Sequence, residues 1–190
     1  MLSPEGERIA YAINETDDFD NRDVYAANAD GSEPQNLEIG ETGVEATPAD
    51  WGPDGDRLLV SDNTEDRSRC GVYDFETGTV RWLGDLAHEE TPEGFTDDGT
   101  SVLATRTRDA VTIPIAYDLD SSEARELDLP EGVAGFGMAG DSVLDDGRAV
   151  VLHTTPTRAG RNCSRTTSNA TMPGATTPGE VTQSVTTPRR

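Results

Sequence analysis

Short apolar runs separated by polar turns recur along the first 157 residues at a nearly constant interval. The clearest copy joins Trp51, the turn 53–55 (Pro-Asp-Gly) and the apolar run 58–60 (Leu-Leu-Val). Proline presets φ near about −65°, aspartate can bond the backbone two residues on, and glycine accepts a positive φ. The pattern therefore predicts a strand, a tight turn and a buried strand.

This unit occurs four times, with its turn glycine at positions 6, 55, 99 and 147, which gives intervals of 49, 44 and 48 residues. The residue matched to the aromatic position is Leu2, Trp51, Phe95 or Leu144. A second marker is a strand containing Tyr25, Tyr73 or Tyr117, which lie 19, 18 and 18 residues after their glycines. A polar turn and a last strand follow each tyrosine, at 35–39, 79–83 and 124–129. The fixed positions of the aromatic residues favour packing between repeats over a ligand-binding box.

A period of 40–50 residues with four strands is typical of a β-propeller blade. The sequence thus predicts an all-β fold, a partial β-propeller with four-stranded antiparallel blades at approximately 1–42, 43–86, 87–131 and 132–157. About three blades are present with part of a fourth. We expect the strand before the first turn to be a stub at Leu2. The fourth blade enters through 133–138 and carries a strand at 148–152.

The repeat pattern stops near residue 157, although a tyrosine strand is due near Arg165. Residues 158–190 contain no aromatic residue and carry a net charge of +4, whereas residues 1–157 carry −26. Such a segment buries too little apolar surface to offset its ordering entropy, so we predict a disordered tail. It is either a natural low-complexity linker or stalk, or a shifted reading frame after a truncated gene. The coincident change of composition and repeat favours the shifted frame.

The charge of the chain excludes several classes of partner. It has 37 acidic and 15 basic residues, all of the latter arginine, and a net charge of −22. Binding to nucleic acid or to an anionic membrane needs clustered basic residues, so neither is expected. The acidic excess without lysine predicts a protein adapted to very high salt, with an ordinary acidic domain as the alternative. Since no apolar segment could span a membrane and no signal peptide is evident, we expect a cytoplasmic protein.

Few residues are candidates for chemistry, and each has a simpler structural interpretation. Cys70 and Cys163 form neither a disulfide framework nor a zinc site, and Cys70 is expected to be buried in a strand. His88 lies in an acidic loop and is expected to be solvated, whereas His153 is expected at a packed or edge strand position. The acidic run 17–23 and the segment 28–31 lack the full spacing of a calcium loop. We therefore predict no metal site and no cofactor.

The repeat units resemble those of a known family of propellers. Residues 51–58 (WGPDGDRL), 23–25 (DVY) and 29–34 (ADGSEP) are similar to the WD40-like repeats of Tol-type propellers. The same repeats form the N-terminal propeller of prolyl oligopeptidase family serine peptidases. Residues 61–66 (SDNTED) and 106–109 (RTRD) resemble most closely the haloarchaeal members of that family. The resemblance covers residues 1–157. It implies a propeller that caps an active site and filters peptides by size, while a C-terminal α/β-hydrolase domain performs catalysis.

We expect this chain to lack the hydrolase domain and to have no catalytic residue. A hydrolase nucleophile requires a Gly-x-Ser-x-Gly elbow, and the nearest string, 140–144 (GDSVL), lacks the final glycine. The chain is thus interpreted as a truncated, non-catalytic propeller, whose full-length parent would have a hydrolase domain and a peptide substrate. The alternatives are a Tol-type propeller that binds proteins and an unrelated repeat scaffold. Because closed propellers have about 4–8 blades, exposed blade edges predict self-association.

Overall fold

A computed structural model describes residues 1–15, 20–129, 132–136, 149–154 and 164–168. Within these residues the chain forms four antiparallel sheets and a single 3-10 turn, Thr64–Asp66, with no α-helix. The predicted all-β propeller architecture is confirmed. Each sheet is built from strands that follow one another in the sequence, as expected for a blade.

The strands are as follows. The first sheet has β1 (Arg8–Ile13), β2 (Asp23–Asn28) and β3 (Gln35–Asn36). The second has β4 (Ala46–Trp51), β5 (Arg57–Asp62), β6 (Arg69–Asp74) and β7 (Thr79–Trp82). The third has β8 (Glu89–Phe95), β9 (Ser101–Arg108), β10 (Val111–Asp118) and β11 (Ala124–Glu126). The fourth has β12 (Val133–Phe136), β13 (Ala149–Thr154) and β14 (Ser164–Ser168).

The glycine turns have the chemistry that their sequence predicts. Between β4 and β5, Gly55 adopts φ 71° and the Asp54 carboxylate accepts a 3.0 Å hydrogen bond from the backbone N–H of Asp56. The turn between β8 and β9 repeats both features at Gly99 and Asp98. The left-handed conformation explains why glycine occupies this position in each described turn.

The first sheet has only a stub in place of its innermost strand. Leu2 pairs with Ile9 of β1 in an isolated antiparallel bridge. This is the same pairing that joins Trp51 to Leu58 in the second sheet. The predicted match between Leu2 and Trp51 is therefore correct in register as well as in sequence.

The predicted tyrosines occupy equivalent pairing positions in the second and third sheets, but not in the first. Tyr73 lies opposite Leu58, and Tyr117 lies opposite Val102, each three residues after the turn glycine. In the first sheet the residue three positions after the glycine is Ile9, and it lies opposite Ala27.

The predicted equivalence of Tyr25 is wrong by two residues. Tyr25 lies opposite Tyr11, two pairs farther from the turn than Ala27, and the two rings stack with centroids 5.7 Å apart. The segment between β1 and β2, residues 14–22, is longer than the segment 63–68 between β5 and β6. The longer connection shifts β2 along β1, a change that counting from the glycine cannot reveal.

In the fourth sheet Phe136 occupies the paired position of Trp51 and Phe95. Phe136 of β12 lies opposite Val151, as Trp51 and Phe95 lie opposite the corresponding residues of their sheets. Residues 137–148 connect the two strands, so this connection is longer than the tight turns of the second and third sheets. Leu144, the fourth turn glycine and the predicted start of the strand at 148 lie outside the described residues.

The last strand of each of the first three sheets is shorter than predicted. β3, β7 and β11 end immediately before Leu37, Leu83 and Leu127, which are all at most 5% exposed. Each leucine donates its backbone N–H to the preceding strand, with N···O distances of 2.8–2.9 Å. The side chain then turns into the core, and this burial ends the strand where the apolar pattern alone suggested continuation.

Three apolar clusters hold neighbouring sheets together. The first cluster includes Trp51 and Tyr73, the second includes Tyr117 with Phe95 against it, and the third joins the third and fourth sheets. The predicted packing of aromatic residues between blades is confirmed for these four. Tyr25 instead lies half-buried on the outward face of the first sheet, which has no neighbouring sheet among the described residues.

The predicted disordered segment 158–190 contains one described element, β14. Ser164–Ser168 pairs antiparallel with β13 over five residue pairs, at the place where the missing tyrosine strand was due. The edge of β13 offers free backbone groups, and β-branched threonines at 166 and 167 favour extended backbone. The expectation of no strand does not hold for these five residues. The remainder of the segment lies outside the described residues.

Candidate functional site

Polar side chains gather at the junctions between neighbouring sheets. We call the contacts between the first and second, second and third, and third and fourth sheets the first, second and third junctions. The end of each sheet that carries the glycine turn is its turn end, and the opposite end is its loop end. The two ends hold different kinds of polar contact.

At the turn end, an arginine of one sheet binds the turn of the next. Arg8 donates a hydrogen bond to the carbonyl oxygen of Gly55, and Arg57 donates one of 2.9 Å to the carbonyl oxygen of Gly99. Both arginines lie two residues after their own turn glycine. In the third sheet this position is Ser101, a buried residue whose hydroxyl has no hydrogen-bond partner within the described structure. The arginine link is therefore missing from the third junction.

Replacing Arg57 by methionine is expected to lower the free energy of unfolding by about 1–2 kcal/mol, because the hydrogen bond to the Gly99 carbonyl is lost while most of the apolar stem remains. Urea denaturation measures the change. The control is Arg22→Met, which removes an exposed ion pair of 3.3 Å to Glu45 and should cost less than about 1 kcal/mol. Equal costs for the two variants would contradict a specific role for the arginine link.

The turn aspartates make stability depend on acid pH. A hydrogen bond from the Thr96 hydroxyl, helped by the Thr100 backbone N–H, holds the pKa of Asp98 below its usual value. A lowered carboxyl pKa contributes stability above its ordinary value near about 4, and this stability is lost as the pH falls through the lowered pKa.

Asp98→Asn should therefore reduce the loss of unfolding free energy between about pH 5 and about pH 3. The measurement is urea denaturation at both pH values for wild type and variant. Asp97→Asn, the same charge change on the exposed neighbour, is the control and should leave that loss as in the wild type. A control variant that behaves like Asp98→Asn would show that net charge, and not the hydrogen bonds, governs the effect.

At the loop end of the second sheet, Asp62 and Arg69 form a buried ion pair on the face that packs against the first sheet. Asp62, 1% exposed, accepts hydrogen bonds of 2.6 and 2.8 Å from the guanidinium of Arg69. The Thr64 hydroxyl donates to the same carboxylate at 2.9 Å. The guanidinium also lies 3.8 Å from the ring centroid of Trp82, which adds a cation–π contact. The carboxylate is thus fully occupied within the blade.

The second junction contains a buried triad of Glu90, Arg106 and Tyr117. Arg106 donates to the Glu90 carboxylate at 2.8 Å, and the Tyr117 hydroxyl donates to its other oxygen at 2.6 Å. Burial, with the Glu90 carboxylate as the next cause, raises the pKa of the Tyr117 phenol. Burial alone would lower the pKa of Arg106, but Glu90 outweighs it and raises the pKa. The three groups satisfy one another's hydrogen bonds, which suits a structural role.

The third junction has a cleft at its loop end. Val133 lies opposite Thr154 in the same register as Thr91 opposite Thr105 in the third sheet, so Gly132 has the position of Glu90. A cavity of about 910 Å³ lies at this end of the junction. Its apolar walls include Ile113, Pro114, Leu127, Leu129 and Ala134, and its charged lining residues are Arg108, Asp109, Glu126 and Asp128.

The candidate residues singled out from sequence are placed apart from one another. Cys70 is fully buried in β6, as predicted, and burial raises the pKa of its thiol. His153 is 5% exposed in β13, which confirms a packed position. His88 is half-buried between β7 and β8 and is less solvated than expected. Residues 140–144 and Cys163 lie outside the described residues.

The possible cation sites also have ordinary structural roles. Segment 28–31 closes the β2–β3 hairpin, and the Asp30 carboxylate accepts a 2.9 Å hydrogen bond from the Ser32 backbone N–H. Asp17 and Asp18 of the acidic run lie outside the described residues. Across the described ranges, no cluster of three or more His, Cys, Asp or Glu side chains is arranged to hold a metal ion. No helix in those ranges is long and apolar enough to cross a membrane.

Sequence reasoning did not identify the buried ion pairs or the cleft. One signal was available for Arg106, because it follows the buried run 102–105 on the inward face of β9 and must have a partner there. No signal was available for the cleft. It arises from the packing of the third and fourth sheets, which only the structure reveals.

The fold is similar to that of several solved propeller proteins. The TM-score is 0.63 to a putative TolB from Agrobacterium tumefaciens, at 15% identity, with 87% of this chain and 57% of that chain covered. It is also 0.63 to TolB from Acinetobacter baumannii, at 19% identity, with 87% and 40% covered. A prolyl endopeptidase structure gives 0.62 at 19% identity, with 87% and 23% covered. No protein-family model and no curated protein matches the chain.

These likenesses establish a propeller fold of the kind found in TolB and in prolyl endopeptidases. The chain spans just over half the length of the first TolB structure and under a quarter of the prolyl endopeptidase.

Proposed function

We propose that the chain is a non-catalytic propeller region that controls peptide access to a prolyl oligopeptidase-type hydrolase domain. The observation that carries this proposal is the likeness to the propeller of a prolyl endopeptidase, together with similarity to a puromycin hydrolase at a TM-score of 0.62. The family resemblance of residues 61–66 and 106–109 also favours the peptidase. On this proposal, catalysis takes place in a domain outside these residues.

The polar groups of the described blades support a non-catalytic role. The only described cysteine, Cys70, is fully buried, and its raised pKa keeps the thiol protonated near neutral pH. Tyr117 and Glu90 bind each other and Arg106. Covalent hydrolysis requires an activated nucleophile beside a general base. Neither Cys70 nor the triad of Glu90, Arg106 and Tyr117 provides this arrangement.

The outward faces of the first and fourth sheets support membership of a larger propeller. All large apolar residues that are clearly exposed in the described part of the chain lie on these sheets or at the N-terminus: Met1, Leu2, Ile13, Val133 and Leu152. The corresponding faces of the inner sheets are buried against neighbours. We propose that further blades cover both faces in the parent protein and that the free chain self-associates through them.

A Tol-type propeller that acts through protein contacts is the second candidate. TolB structures match the chain with a TM-score of 0.63, against 0.62 for the prolyl endopeptidase, and over a larger share of their own length. A purely binding propeller needs no hydrolase domain. The two candidates therefore differ in what the gene encodes beyond the repeats.

Sequencing the locus beyond the codon for Thr157 and translating all three frames distinguishes the candidates. The peptidase proposal expects a further tyrosine strand, additional blades and a Gly-x-Ser-x-Gly hydrolase domain. Additional blades without a hydrolase domain would overturn it in favour of the Tol-type propeller. The purified chain should release no fluorophore from aminoacyl-coumarin peptides, and hydrolysis that survives repurification would contradict the non-catalytic assignment.

We also propose a cytoplasmic, salt-adapted origin, and this gives a prediction about stability. With a net charge of −22, self-repulsion should weaken the folded chain at low ionic strength. Molar potassium chloride is expected to raise the melting temperature by several degrees or more, because salt screens this repulsion. Circular dichroism at increasing salt measures the shift. A melting temperature independent of salt would favour an ordinary acidic domain.

A further inference from the structure

We propose that the outward face of the first sheet binds the outward face of the fourth sheet in a second copy of the chain, in a head-to-tail contact. This inference rests on the self-association proposed above and specifies both its partner and its geometry. The register of the strands carries it, because register gives the two outward faces the same relation as the two faces of an internal junction.

All internal junctions have the same polarity along the chain. Leu59 of the second sheet shares an apolar cluster with Val102 of the third, and Leu103 of the third sheet shares one with Val151 of the fourth. Leu59 and Leu103 lie four positions after their turn glycines and face the following sheet. Val102 lies three positions after its glycine and faces the preceding sheet. The four described sheets therefore leave one free face of each kind, and these two kinds are the ones that pack together inside the chain.

Register also identifies the residues that would meet in this contact. Leu152 follows the register equivalent of Val102 in β13, so Leu152 corresponds to Leu59 and Leu103. Those two leucines are 0% and 3% exposed because the next sheet covers them, whereas Leu152 is 43% exposed. Ile9 corresponds to Val102 but is only half-buried. Leu152 of one copy and Ile9 of another thus repeat the buried pair of Leu59 and Val102.

The charge of the two faces disfavours the symmetric alternative, in which two first-sheet faces meet. Tyr25 lies on this face, and its hydroxyl donates a hydrogen bond to the Glu15 carboxylate. Asp23 lies on the same face of β2 as Tyr25. Two copies of this face would bring their carboxylates together. The fourth sheet instead has Arg165 opposite Leu152, so its outward face places a basic residue against the acidic one.

The test combines two variants that each block one face. Ile13→Asp puts a charge on the outward face of the first sheet, and Leu152→Asp puts one on that of the fourth; both replace exposed side chains. Size-exclusion chromatography with light scattering is run at a salt concentration where circular dichroism shows the chain folded. We expect the wild type to associate, each variant alone to be monomeric, and an equimolar mixture of the two to form a 1:1 dimer. The mixture dimerises because each variant keeps the face that the other has lost.

The outcomes separate the head-to-tail contact from self-association in general. A wild type that stays monomeric at every concentration would overturn the self-association itself. Association that persists in either variant alone, or a mixture that stays monomeric while the wild type associates, would overturn only the head-to-tail contact.

Gln35→Glu is the control for added negative charge. Gln35 is exposed and pairs with Ala26, on the opposite face of the first sheet, so this variant should associate like the wild type. A control that becomes monomeric would assign the effect to net charge and overturn the proposal. If Ile13→Asp fails to fold, Leu2→Asp replaces it, because Leu2 pairs with Ile9 on the same outward face. If Leu152→Asp fails to fold, Leu152→Gln replaces it, with the same results expected.

Discussion

Replacing Glu90 by glutamine is expected to lower the free energy of unfolding by about 3 kcal/mol, among the largest single-site effects in the chain. Glu90 is 5% exposed and is the shared partner of Arg106 and Tyr117. The amide keeps the shape but leaves a buried guanidinium without its counter-charge, and breaking one side of a buried pair costs about 3–5 kcal/mol. We expect the lower end, because Arg106 also lies 3.5 Å from Glu126.

Urea denaturation of Glu90→Gln beside Glu126→Gln provides the comparison. Glu126 pairs with Arg108 on the surface, where both side chains are about two-fifths exposed, and its loss should cost at most about 1 kcal/mol. A cost below about 1 kcal/mol for Glu90→Gln would mean that the triad is open to water. Water would then hydrate the Arg106 guanidinium, and the second junction would owe its stability to apolar contacts alone.

Leu58→Ala is expected to cost about 3 kcal/mol, whereas the same truncation at Ile9 should cost about 1 kcal/mol. The two residues are register equivalents, each three positions after a turn glycine. Leu58 is fully buried in the first junction. Ile9 is half-buried on the outward face of the first sheet. Removing buried methyl groups costs about 2–5 kcal/mol because a cavity remains, and a partly exposed site avoids most of that cost.

The comparison of Ile9→Ala with Leu58→Ala also tests whether another copy of the chain covers the outward face of the first sheet. Measured at low and high protein concentration, Ile9→Ala should remain mild at low concentration. If self-association buries this face, its cost should rise with concentration while that of Leu58→Ala stays the same. Equal, concentration-independent costs for both variants would contradict an exposed outward face in the isolated chain.

The repeated architecture could be predicted from the sequence because each repeat is marked by residues that act within a single turn. Gly55 and Gly99 require a left-handed backbone, and Asp54 and Asp98 bond the backbone within the same turn. Such signals need no knowledge of distant contacts. The fold class and the inward packing of Trp51 follow directly from them.

The errors arose where the length of a connection changes the register. Tyr25 was assigned by counting from a glycine, and counting assumes connections of equal length. Strand pairing instead puts Ala27 at the equivalent position. Pairing depends on backbone hydrogen bonds between segments and on which face is buried, so residue spacing alone does not determine it.

The candidate site was beyond prediction for a similar reason. Its lining residues come from β9, β10, β12 and the segment after β11, which are far apart in the sequence. The cleft lies between two sheets, and its volume depends on how they pack.

The arginine links at the turn end give the arc a preferred order of disassembly. Arg8 links the first sheet to the second by a hydrogen bond, and Arg57 links the second to the third. Ser101, at the equivalent position of the third sheet, forms no such hydrogen bond to the described part of the fourth sheet. The third junction also contains the cleft at its loop end, where the second junction has the buried pair of Glu90 and Arg106. Opening should begin at this seam, which leaves the first three blades as one cooperative unit. In hydrogen exchange, amides of β12 and β13 would then lose protection before those of β5 and β9.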